Sequence, residues 1–135
     1  MAINFKRLED ITRALKTSKQ SGKSFHTCFV YHGSKLINIS TNNYGKLHPY
    51  HKWSVYESTR VGGKYQAGIH AELKTLISLG LEDCSHLTFV NIRINNQNLP
   101  ALSKPCKNCE RILRSINIKS IWYYDGVKYV REKYQ

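Results

Sequence analysis

From Phe5 to Lys19 the apolar residues Phe5, Leu8, Ile11 and Leu15 recur every three or four positions, which predicts an amphipathic helix. Lys6, Arg7, Arg13 and Lys16 fall mostly off that stripe. Asn4 stands where a side-chain oxygen can cap the first turn, and Gly22 lies just past the end. The period then shortens. SFHTCFVYH and SKLINIST read as two strands joined in a hairpin at His32-Gly33-Ser34. Residues 42–69 show no clear period beyond a helical turn around 51–58, and so long a connection in a compact domain is usually functional. Helical spacing resumes at Ile69, with Leu73, Leu76 and Ile77 apolar and Gly80 as the stop.

HLTFVNIRI is a β-branched, apolar strand. CKNCERILRSI predicts a helix with Ile112, Leu113 and Ile116 facing inward and Pro105 in its first turn. KSIWYYDGVKYVREKY reads as two strands around Asp125-Gly126. Only ten residues follow Asp125, too few for a crossover helix and a parallel strand, so these last strands should close as an antiparallel hairpin. The resulting order, α-β-β-α-β-α-β-β, predicts an α/β fold whose sheet carries helices on both sides. No repeat, low-complexity tract or linker divides residues 1–135, and one domain is expected.

Charge changes the picture more than composition does. Hydrophobic residues at 41% and charged residues at 22% are ordinary for a globular chain, but 21 Lys and Arg against 9 Asp and Glu leave a net charge of +12. Such an excess is best tolerated beside a polyanion, and nucleic acid is the first candidate. Lysines scattered over every face are the competing reading. No run of about 18 apolar residues is present, which excludes a transmembrane helix. MAINFKRLED shows no apolar export segment, so the chain is expected in the cytoplasm and not secreted. There the four cysteines read as metal ligands or buried thiols.

Two short stretches carry candidate chemistry. Cys106 and Cys109 lie three apart at a predicted helix start, where both sulfurs share a face and can reach one ion. His70, opening the other helix, can supply a third ligand. Three nitrogen and sulfur ligands with a fourth position open is the pattern of a catalytic zinc site. Glu72 is placed to exchange protons with a water held in that open position, which is the equipment for hydrolytic deamination. The alternative is a structural zinc site, closed by Cys84 or His48. Cys28, mid-strand, and Cys84, in a turn, are expected to be inert thiols.

His70-Ala71-Glu72 followed by Pro105-Cys106-Lys107-Asn108-Cys109 resembles the H-x-E and P-C-x-x-C signature of the zinc-dependent cytidine deaminase superfamily. The order of elements is similar as well, so the resemblance spans nearly the whole chain. It implies a three-layer α/β/α fold with a five-stranded mixed sheet, zinc on His70, Cys106 and Cys109, and Glu72 as proton shuttle. NNYGKLHP, residues 42–49, is similar to the segment preceding the zinc histidine in CMP/dCMP-type enzymes, many of them phage-encoded. The likeness implies sugar contacts from Asn42 or Asn43, further substrate contacts from Tyr44 and His48, and the backbone of Ala71 against the pyrimidine edge. It also implies a bacterial or phage-infected cell and a homo-oligomer.

The substrate's carrier stays open between two readings. A free cytidine nucleotide fits the CMP/dCMP likeness. A cytosine in single-stranded DNA or RNA fits the charge and the ring-rich segment Tyr44, Lys46, His48, Tyr50, Trp53, Tyr56, Arg60, Lys64 and Tyr65, where Gly62-Gly63 could hinge a lid. A third reading has no chemistry: a zinc-stabilised module that binds nucleic acid.

Overall fold

The structure is a computed structural model that describes residues 2–18, 24–41 and 84–134. Labels below number the elements within those residues. They are α1 (Phe5–Ser18), β1 (Phe25–His32), β2 (Lys35–Thr41), β3 (Leu87–Ile94), α2 (Lys107–Ser115), β4 (Ser120–Tyr124) and β5 (Tyr129–Lys133). The helix expected from Ile69 lies outside the described residues, as does Gly22.

The strands form one mixed sheet in the order β2-β1-β3-β4-β5. β1 pairs antiparallel with both β2 and β3, β3 pairs parallel with β4, and β4 pairs antiparallel with β5. Only the parallel pair needs a crossover, and α2 supplies it. The expected five strands and closing hairpin are both present. Gly33 makes the first turn possible, because its φ of +63° is open to glycine at little cost. The second turn is longer than a two-residue reading of Asp125-Gly126. Tyr124 faces Tyr129, and Asp125 Oδ1 accepts from the backbone N–H of Val127 at 2.8 Å and of Lys128 at 3.0 Å. Those bonds hold the Asp125 carboxyl below its ordinary pKa.

Alternation along the strands sorts the core into two faces. Cys28, Val30, Leu87, Phe89 and Ile121 pack with Cys109, Ile112 and Leu113 of α2. Phe29, Val90, Ile92 and Ile94 pack with Leu8 of α1, flanked by Phe5, Ile11 and Trp122. The two described helices therefore cover opposite faces of an α/β sheet. Phe29, Phe89, Leu113 and Ile121 are fully buried, each contributing about 1.5–3 kcal/mol by removal from water.

α1 starts as its sequence dictates: the Arg7 N–H donates to Asn4 Oδ1 at 3.1 Å. Its buried side departs from the simple apolar stripe. Leu8, Thr12 and Lys16 are the buried residues, and Lys16, expected off the stripe, is only 6% exposed. Its ammonium donates to the Asn95 carbonyl at 3.2 Å and to Asn98 Oδ1 at 2.9 Å. Burial is tolerated because the charge has acceptors. At the far side, the Tyr129 phenol donates to Glu9 at 2.8 Å, and burial holds that phenol well above the ordinary tyrosine pKa.

Candidate functional site

The path into the C-x-x-C begins where β3 and β4 part. Their last paired residues are Val90 and Trp122. Beyond that point the segment 101–103 occupies the gap. The Ala101 N–H donates to the Arg93 carbonyl at 2.9 Å, and the Ser103 N–H to the Tyr124 carbonyl at 3.0 Å. Asn91 and Ser103, both buried, exchange bonds: the Asn91 amide donates to the Ser103 carbonyl at 3.2 Å, and the Ser103 hydroxyl donates to the Asn91 carbonyl at 2.9 Å. The Tyr124 N–H in turn donates to Ser103 Oγ at 2.8 Å. The signal for this role in the chain is a polar Asn91 set in the mainly apolar FVNIRI.

The chain then enters α2 through buried Pro105. Pro105 precedes the helix instead of filling its first turn, because Cys106 is the N-cap, with φ −65° and ψ 164°. Cys106 Sγ accepts from the Cys109 N–H at 3.5 Å. The two sulfur-bearing residues thus share the first turn, next to unsatisfied helix N–H groups whose partial positive charge favours an anionic sulfur. Cys109 is fully buried against the sheet and Cys106 is half-buried beside it. One residue of the pair is anchored in the core and its partner is only partly buried.

Topology gives this turn its place. α2 is the crossover of a β3-α2-β4 unit, so its N-terminus stands at the carboxyl ends of two parallel strands, where α/β sheets commonly bind ligands. The wedge at 101–103 keeps those ends apart.

His70, Glu72, Ala71, Asn42, Asn43, Tyr44 and His48 lie outside the described residues, together with the ring-rich segment from Tyr44 to Tyr65. All four cysteines are described and none is joined in a disulfide. Cys28 and Cys84 are buried in the apolar cluster that holds Cys109. Among the described residues no three His, Cys, Asp or Glu side chains gather into a metal-holding group. No helix among the described residues is long and apolar enough to cross a membrane.

No family model matches the chain, and no curated protein or solved structure matches it.

Proposed function

We propose that the chain is a zinc-dependent hydrolytic deaminase that converts cytosine to uracil in a (deoxy)cytidine nucleotide, of CMP/dCMP type. The observation that carries the reading is the Pro105-Cys106-x-x-Cys109 turn at the N-terminus of a βαβ crossover helix, preceded in sequence by His70-Ala71-Glu72. Sheet order, closing hairpin and a helix on each face support a three-layer deaminase-like architecture.

The donor set fits zinc. Cys106 and Cys109 share one helical turn and suit an anionic sulfur pair, and His70 would complete three ligands. Zinc held there supplies a Lewis acid that brings the pKa of a water down to about 7. The remaining work falls to the protein. Glu72 takes a proton from the attacking water and passes it to the departing amino group, so that water and cytosine leave as uracil and ammonia. Asn42 or Asn43 would engage the sugar, and Tyr44 and His48 would contact the substrate. The Ala71 backbone fixes the pyrimidine edge. Asn91 and Ser103, bonded to each other and to Tyr124, would brace the segment that leads into the C-x-x-C turn.

The net charge of +12 favours a second reading, in which the cytosine is presented by single-stranded DNA or RNA. The experiment is a parallel assay of dCMP, cytidine and a cytosine-bearing single-stranded oligonucleotide, followed by uracil formation. Turnover of dCMP is expected. Turnover of the oligonucleotide alone transfers the activity to the second reading. Absence of turnover on all three, with zinc bound and oligonucleotide retained, identifies a binding module without chemistry.

A further inference from the structure

A cavity of about 350 Å³ opens on the α1 side of the sheet, at the end away from the C-x-x-C turn. Among the described residues it is lined by Gly33 and Ser34 of the first hairpin, His86 and Thr88 at the start of β3, Lys119 before β4, Trp122, and Arg131 of β5. Four separate parts of the chain converge there, which is why no sequence motif announces it.

We propose that this cavity binds one nucleotide unit of a single-stranded nucleic acid, with phosphate on Lys119 and Arg131 and the base against the Trp122 ring. Among the described residues the lining holds two permanent cations, an imidazole, two hydroxyl groups and an indole, and no carboxylate. Lys119, His86 and Arg131 are exposed. Arg131 is held in place through Nε, which donates to Ser120 Oγ at 3.2 Å, and the terminal nitrogens are the pair with which a guanidinium grips phosphate. Lys133 lies opposite Ser120 in the β4–β5 register and adds a cation on the same face. The nearest carboxylate of β5, Glu132, belongs to the other face, where Arg114 and Tyr123 donate to it. Trp122 is half-buried and braced by Phe5, with ring centroids 5.4 Å apart, so it presents a fixed aromatic wall. Cation and ring together are the means by which single strands are held without reading sequence.

The site is independent of the proposed deamination, and the test keeps the two apart by using thymine, which has no exocyclic amine. A fluorescent 12-residue oligothymidylate is titrated with protein, by anisotropy, between 50 and 200 mM salt. Lys119→Ala/Arg131→Ala is expected to weaken binding about tenfold and to lower the salt slope by about 1.4, the value for two phosphate contacts on a single strand. Lys6→Ala/Arg7→Ala, which removes equal charge from exposed positions on α1, is expected to change affinity less than twofold. Equal losses from the two double variants would reduce the effect to diffuse charge and overturn the proposal. Heparin fragments competing as well as the oligonucleotide, or thymidine 5′-monophosphate competing as well per phosphate, would overturn the assignment to a strand. A direct readout comes from Trp53→Phe, which leaves Trp122 as the sole tryptophan. Its emission should be quenched by oligothymidylate, and unchanged emission at saturation would remove the stacking role.

Discussion

Glu72 and Lys16 show how much a single side chain can carry here. In the proposed reaction Glu72 is the proton carrier, and Glu72→Gln keeps its shape while removing its basicity. That variant should lose turnover by a factor of about 10²–10⁴ while retaining zinc and its far-UV spectrum. Retained turnover would dismiss the shuttle. Lys16 is a structural counterpart, a buried ammonium shared between the Asn95 carbonyl and Asn98 Oδ1. Lys16→Ala strands two acceptors and should cost about 1–3 kcal/mol in urea unfolding. Helical spacing alone put Lys16 off the apolar stripe, because the partners that make its burial tolerable sit 79 and 82 positions away. Asn4, whose partner is three residues on, was legible. Local bonds can be read from the chain, and distant ones only from the fold.

At the scale of elements, the two hairpins and the C-x-x-C turn each depend on a few backbone bonds. Asp125 closes the last hairpin by accepting from two N–H groups, and its folded pKa is depressed for that reason. A depressed carboxyl contributes stability above its unfolded pKa and loses it as pH falls through the folded value. The difference in melting temperature between the wild type and Asp125→Ala should therefore be constant near neutrality and shrink below about pH 4. A difference unchanged down to pH 3 would show that the carboxylate charge plays no part. Asp125-Gly126 marked this hairpin in the sequence, but the loop is wider than that pair, since turn length is set by where Tyr124 and Tyr129 pair across the sheet. Ser103 makes the corresponding contribution at the site. Ser103→Ala removes a donor to Asn91 and an acceptor for Tyr124 and should cost about 1–3 kcal/mol, with zinc affinity falling alongside as the turn loosens.

For the whole molecule, a five-stranded mixed sheet carries a described helix on each face. The proposed zinc turn stands at the carboxyl ends of β3 and β4, and a basic cavity at the opposite end. The mainly apolar character of FVNIRI and SIWYY at successive positions made the buried central strands legible, because a strand covered on both faces has no polar side to show. Strand order was out of reach of pattern alone. It depends on β1 pairing with both β2 and β3, a long-range choice settled by packing. The sulfur half of the candidate site could be read from spacing, since i and i+3 at a helix start leave little freedom.

The claim on which the rest depends is that one zinc ion is held by two sulfurs and an imidazole with a position left for water. X-ray absorption at the zinc edge of the purified protein tests it directly. Two sulfur scatterers at about 2.3 Å with nitrogen or oxygen at about 2.0–2.1 Å are expected, and both sulfurs should be lost in Cys106→Ala/Cys109→Ala. Three or four sulfurs around the ion, or no zinc at all, would contradict it.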